Sequence, residues 1–448
     1  MEKYDVVILG GGNAGMGVTV ATRAAGLSVA MIEARDLGGT CPNRGCTPKK
    51  VLVAAAHALD EIARAGNHAI KIDPPRLDWR ALIEREKEII RDIPSRLSGL
   101  MARRGVDVIH GEAAFIASNA IRVGSRELEA RNIVIATGSM PRPLPIPGSE
   151  FLITSDEVLS DPTLPRAVVF IGGGVIAFEL GHVYARAGVE VTILEALPQL
   201  LGGFDEDAVA QLLDESERLG IGIHTKAWVR KIEEADGRLR VSFAKDGVEC
   251  SVDTDRAVNC AGRVANVESL DLGAGVIVHR EGRIEIDDHL RSRSNPDVYV
   301  CGDAVWNSPQ LSPVATYEGG IVGRNIVAGP KHRPDYSHIP ASLYSIPAVA
   351  TVGLTEAKAR ERGFTVNVHL NDMRGWLSAR TYAEAVAWSK IIVEEATGKI
   401  LGAHLVGHAG EELIHIFALA MKHGIPAQEL AETVCAFPTF AADIRNMM

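Results

Sequence analysis

Cysteine is scarce in this chain, with six in 448 residues, and Cys250, Cys260, Cys301 and Cys435 each stand alone. That spacing excludes a structural disulfide framework, and no Cys/His cluster suggests a metal, so none is expected. Cys435 being single also leaves no C-terminal pair to pass electrons onward. Long apolar runs are missing too. Glycine stops Val6-Val7-Ile8-Leu9 after four residues, too short for a signal peptide or a membrane span. A cytoplasmic protein without membrane insertion is expected. No basic cluster offsets the net charge of −10, which repels a phosphate backbone and argues against nucleic acid as a partner. Low-complexity tracts are also absent, and 46% hydrophobic with 23% charged residues describes a folded chain. Its length exceeds what one core holds and predicts two or three domains.

Two glycine-rich turns are present. The buried-strand run Val6 to Leu9 meets Gly10-Gly11-Gly12-Asn13-Ala14-Gly15, which opens a helix reaching about Ala25; the next strand, Ser28 to Ile32, ends at Glu33. Glycines permit a tight turn and close approach of a pyrophosphate, the helix amides meet its charge, and a carboxylate at the strand end can bind an adenosine ribose. Val168 to Ile171 leads likewise into Gly172-Gly173-Gly174-Val175-Ile176-Ala177, a helix, and Val189 to Leu194 ending at Glu195. Gly10 to Glu33 and Gly172 to Glu195 are equally spaced, which reads as an internal duplication holding two dinucleotides. Glu195 would accept from a free 2′-hydroxyl and repel a 2′-phosphate. No arginine lies between it and Gly203, so NAD(H) is favoured over NADP.

Cys41 and Cys46 are the local pair, within Gly39-Thr40-Cys41-Pro42-Asn43-Arg44-Gly45-Cys46-Thr47-Pro48-Lys49-Lys50. A regular helix would set them about 7.5 Å apart along its axis, beyond the roughly 6.8 Å between Cα atoms that a disulfide spans. Pro42 and Gly45 allow the needed distortion, and redox use is the reading that explains the pair.

Here the chain resembles the pyridine nucleotide-disulfide oxidoreductases of the dihydrolipoamide dehydrogenase, glutathione reductase and mercuric reductase type, whose pattern is GGTCxNxGCxPxK. Ala136-Thr137-Gly138-Ser139 is similar to the family's ATG segment. Cys260-Ala261-Gly262-Arg263-Val264-Ala265-Asn266 is similar to its GRxPN turn, with alanine for the usual proline at 265. Val298 to Asp303, followed by Leu311-Ser312-Pro313-Val314-Ala315, resembles the Gly-Asp turn that holds the flavin ribityl chain. The resemblance implies an α/β chain with two Rossmann-like domains and a C-terminal α+β dimerisation domain. FAD would be held through Gly10, Gly12, Gly15, Glu33, Thr40, Lys50, Ala113, Thr137, Gly138, Asp303 and Ala315, and NAD(H) through Gly172, Gly174, Glu195, Gly262 and Arg263. Lys50 would approach the flavin ring and Glu179 would pair with it, with Lys49 as the competing candidate. Residues 1–148 and 272–333 would form a split FAD domain around an NAD domain at 149–271. Residues 334–448 would build a homodimer with a shared active site.

The pattern breaks near the end. Disulfide-reducing relatives carry a His-Pro-Thr motif whose His, oriented by a Glu five residues on, shuttles the thiol proton. In Ala436-Phe437-Pro438-Thr439-Phe440-Ala441-Ala442-Asp443, Phe437 stands at the base and Ala442 at its orienting acid. General acid–base help of about 10²- to 10⁴-fold is then missing unless another group supplies it. Asp443 is a poor base for a thiol; His415 and His423 are further candidates. Three readings follow. One is NADH-dependent reduction of a disulfide, persulfide or related small acceptor whose leaving group needs no protonation. Another is reductive C–S cleavage with carboxylation, because 2-ketopropyl-coenzyme M oxidoreductase/carboxylase is similar in replacing the dyad His by Phe, though it has His where this chain has Ala442. The last is a non-catalytic flavoprotein subunit, against which the complete cysteine and Rossmann motifs argue.

Overall fold

The computed structural model describes residues 1–448. Contacts group the chain into two compact units, one of residues 1–49, 84–143 and 262–335, the other of 50–83, 144–261 and 336–448. The segment 50–83, expected with the flavin domain, thus groups with the second unit.

In the first unit, β-branched runs make a seven-stranded sheet. Its central strand Glu2–Leu9 pairs in parallel with Val29–Glu33 and with Arg126–Ile135, and Val298–Val300 pairs in parallel with Arg126–Ile135. Val6 to Leu9 are at most 1% exposed, as a strand covered on both faces must be. The register sets Leu9 beside Ile32 and Ile135, and Ile135 beside Val300. The Gly10 turn, Glu33, Thr137 and the Gly302-Asp303 turn therefore leave the sheet at one carboxyl edge, where doubly wound sheets bind ligands.

The second unit repeats this plan. Ala167–Ile171 pairs in parallel with Glu190–Leu194 and with Arg256–Asn259, and Gly222–His224 and Leu152–Ile153 complete five strands. Ile171 lies beside Leu194 and Asn259, which brings the Gly172 turn, Glu195 and Cys260 to one edge. An antiparallel meander, Ala227–Ala235, Arg238–Lys245 and Val248–Thr254, follows. The C-terminal part is a five-stranded antiparallel sheet, with Val349–Gly353, Ile400–Gly407 and Ala387–Glu394 inside and helix Gly410–His423. Lys390 is buried within Ala387–Glu394 and balanced by Asp205, Asp207 and Glu356 at 2.6–3.3 Å.

Candidate functional site

The two glycine turns have one geometry. Gly10 has φ +107° and Gly172 φ +114°; a Cβ at either would lie 2.3 Å from the Ala136 carbonyl oxygen or 2.2 Å from that of Cys260. Only glycine fits both conditions. Glu33 accepts from the amides of Gly11 and Arg35, both at 2.8 Å. Glu195 accepts from the amides of Gly173 at 2.6 Å and Leu197 at 2.8 Å. Each carboxylate is thus aimed across its turn with lone pairs left for a ribose.

The helices behind these turns fit a bound pyrophosphate. Asn13–Ala24 and Val175–Arg186 start at Gly12 and Gly174 with no side-chain cap and no acid in the first turn. By contrast, helix Glu206–Arg218 is capped by Asp205. Uncapped N-termini leave amides for an anion. The flavin side carries a further sign: Thr137 Oγ1 is buried with no hydrogen-bond partner, a vacancy a bound group can satisfy. Asp303 is mostly buried and burial pushes its carboxyl up; it accepts from Ser139 Oγ at 3.2 Å. Arg263 donates to Ser139 Oγ at 2.9 Å and Ser139 O at 2.7 Å. Ala113 and Ala315 are buried, in strand Ala113–Ala117 and helix Ser312–Ala328.

Cys41 lies on the short helix Thr40–Arg44, and Gly45, at φ −142° and ψ −111°, separates it from the helix Cys46–Arg64. A Cβ on Gly45 would sit 3.0 Å from the Thr40 carbonyl oxygen, so the break depends on glycine. It brings the two sulfurs into hydrogen-bond contact, both as thiols. The Cys46 hydrogen bond pulls the Cys41 thiol down to about 6, with help from Ser312, Asn13 and the Lys49 cation, against burial. Thiolate supply at Cys41 is therefore local. Alkylation of Cys41 by iodoacetamide in the NADH-reduced holoenzyme, followed by peptide mapping, should hold its rate from pH 8 down to about 6 and fall below it, because only the thiolate reacts. Ser312→Ala should raise the midpoint; a midpoint at or above about pH 8 in the unaltered protein would contradict this source of activation.

In the second unit Lys50 Nζ lies 3.8 Å over the Tyr344 ring, and Glu179 Oε1 accepts from the Tyr344 amide at 2.9 Å. Lys50 and Glu179 thus both contact Tyr344. Lys49, the competitor, acts on Cys41 in the first unit.

At the C-terminal tail Phe437 is 76% exposed and Ala442 is buried. Asp443 Oδ2 is held by His408 Nε2 at 2.9 Å, while His408 Nδ1 faces Glu384 Oε2 at 2.8 Å. Ser378 also donates to Asp443, and the Phe440 ring stands edge-on to the imidazole at 4.6 Å. His408 is 1% exposed. The one acid in the tail turn is therefore occupied in anchoring it, and His415 and His423 are exposed on their helix.

Sequence reasoning did not single out Asn13, Ser312, Glu318, Tyr344 or His408. Glu318 is fully buried and accepts from the Gly302 amide at 2.6 Å and from Ser308, which fixes the Gly-Asp turn. Its signal was legible: it is the sole acid of the helix Ser312–Ala328, among mostly small and apolar residues.

Two Rossmann units, a cysteine pair on a broken helix and an uncapped turn at each sheet edge define a dinucleotide-dependent flavoprotein disulfide oxidoreductase. Residues 4–319 match the family model for pyridine nucleotide-disulphide oxidoreductases, and residues 339–448 match that family's dimerisation domain. The chain belongs to the pyridine nucleotide-disulphide oxidoreductase family, an enzyme family that uses FAD and NAD(H). A dihydrolipoyl dehydrogenase of Chlamydia muridarum is 33% identical, across 98% of this chain and 95% of that protein. A mercuric reductase of Staphylococcus aureus is 29% identical, across 99% and 81%. The Cu(II) complex of the HOCl-induced flavoprotein disulfide reductase RclA from Escherichia coli superposes with a TM-score of 0.89 at 27% identity, covering 100% of this chain and 99% of that one. No helix is long and apolar enough to cross a membrane, and no group of three or more His, Cys, Asp or Glu is placed to hold a metal.

Proposed function

We propose that this enzyme passes two electrons from NADH to a disulfide, persulfide or related small acceptor whose leaving group is already a stable anion. What supports the reading is the tail: Phe437 and Ala442 stand where the family resemblance puts the base and its orienting acid, and Asp443 is engaged by His408. FAD and NAD(H), when bound, supply hydride uptake and two-electron delivery to the Cys41–Cys46 disulfide. Cys41, as thiolate, attacks one acceptor sulfur; a mixed disulfide forms and the other sulfur departs with its electron pair. Cys46 then attacks Cys41, the pair re-forms its disulfide, and the second sulfur is released. One acceptor disulfide, one NADH and one proton thus give two thiols and NAD⁺.

The low-lying Cys41 thiol supports the attack without an external base, while the departing sulfur has no proton donor. Glu195 and the arginine-free segment after it support NADH over NADPH. The proposed domains are 1–148 with 272–333 for FAD, 149–271 for NAD and 334–448 for the dimer, with Phe437 set against the partner's Cys41 in a shared active site. Lys50 and Glu179 would serve the flavin ring.

Anaerobic turnover with NADH or NADPH against aromatic disulfides, persulfides, glutathione disulfide, lipoamide and quinones tests the reading. Aromatic disulfides and persulfides should exceed lipoamide and glutathione disulfide by roughly 10²-fold, the lower range of lost acid catalysis. Equal rates across leaving groups, or faster reduction by NADPH, would overturn it. The carboxylating alternative predicts acceptor-dependent uptake of labelled bicarbonate, measurable in the same assay.

A further inference from the structure

We infer that the second unit carries a separate site for a small oxyanion bearing two or more negative charges. It is a pocket of about 520 Å³ lined by Arg64, Asn67, Arg218, Arg374, Arg380 and Glu384 together with three neighbouring alanines. The four guanidinium groups come from distant stretches: Arg64 ends helix Cys46–Arg64, Arg218 ends helix Glu206–Arg218, and Arg374 and Arg380 flank and occupy the turn Leu377–Thr381.

Three of them are held in place. Arg64 donates to Asp60 at 2.9 Å and to the carbonyls of Tyr382 and Ala383 at 3.2 and 3.1 Å. Arg218 grips Glu215 through Nε and Nη2, both at 2.7 Å, and Arg374 grips Asp372 at 2.8 and 2.6 Å. In both arginines these bonds leave the Nη1 edge unspent. Arg380 is exposed and has no carboxylate within ion-pair distance.

The acids that orient these arginines do not line the pocket. Asp60 and Glu215 stand behind it, bridged by Arg186 at 3.0 and 3.3 Å. The one lining carboxylate, Glu384, is tied to His408 through the ring and through the backbone amide at 3.0 Å. The pocket wall thus presents four guanidinium groups and one carboxylate, in a chain whose net charge is −10. Planar guanidinium forks set in advance match phosphate or carboxylate oxygens and lose little freedom on binding. No aromatic ring lines the pocket, and three of its four guanidinium planes are already fixed edge-on to carboxylates or carbonyls. The ligand class is therefore a compact polyanion, and Glu384 sets its wall beside the His408–Asp443 anchor of the tail.

Calorimetric titration of the holoenzyme with inorganic pyrophosphate, and separately with citrate, at constant ionic strength tests the site. One saturable site per chain is expected, with pyrophosphate tighter if phosphate oxygens are the natural occupants and citrate tighter if carboxylates are. An Arg374→Ala, Arg380→Ala double variant should weaken binding about tenfold or more while keeping its flavin, since two charged hydrogen-bond partners are lost. Glu384→Gln should tighten it, because a like charge leaves the wall. Opposite responses of this kind distinguish the pocket from general anion attraction. Absence of saturable binding, or binding that neither variant alters, would overturn the inference.

Discussion

Replacing either cysteine of the pair should lower disulfide turnover by on the order of 10³-fold or more, since neither attack nor resolution can then be completed. The two variants should differ in colour. Cys46 opens the nineteen-residue helix Cys46–Arg64, where the positive end of the helix dipole favours a thiolate. It is assigned as the thiolate facing the flavin, and Cys41, pulled down to about 6 by its neighbours, as the thiol that attacks the acceptor. Cys41→Ser should therefore show a long-wavelength charge-transfer band in the oxidised holoenzyme, and Cys46→Ser should show none. Both should still bleach with NADH under argon, because the dinucleotide turns are untouched. The reverse pattern of bands would exchange the two roles and set Cys41, the sulfur hydrogen-bonded to Ser312 and Asn13, against the flavin.

A Phe437→His, Ala442→Glu double variant should raise turnover with lipoamide by roughly 10- to 100-fold, the lower part of the range that general acid–base catalysis supplies. The gain should come from protonating the departing thiolate, since the Cys41 thiolate is already favoured, so aromatic disulfides should change little. Phe437→His alone should do less, because an unoriented imidazole samples many rotamers. Position 437 is exposed in the single chain, whereas Ala442 is buried and a glutamate there must find room. Flavin content and thermal melting of the double variant separate a failed site from a failed fold. If the unaltered enzyme already turns over lipoamide at about 10² per second or more, near the upper range of ordinary enzymes, an unidentified base is present and the reading of the tail is wrong.

The nucleotide turns were legible because their chemistry is contiguous. A strand, three glycines, a helix and a terminal acid lie within one short segment, and the strict demand for glycine at Gly10 and Gly172 writes the geometry into the residue type. The cysteine pair was legible for the same reason, with Gly45 marking the break between its helices. The expected Lys50–Glu179 pair was read from family pattern alone, and Tyr344 was not foreseen as the residue both contact. Arg263 sits in a recognisable motif, but its partner Ser139 lies in another strand segment, so the motif did not reveal that contact.

The sequence by itself determined two glycine-rich dinucleotide turns, a close cysteine pair and a tail with Phe437 and Ala442 where the family resemblance places the dyad, because each is a local pattern whose meaning resides in adjacent residue types. Tertiary structure alone decided that Asn13 and Ser312 meet Cys41, that Glu318 holds the Gly302 turn, that His408 takes up Asp443, and that four arginines gather around one pocket. Hydrophobic periodicity specifies which faces are buried. Which polar groups are then brought within hydrogen-bond reach depends on strand order and register, and so appears only once the chain has packed.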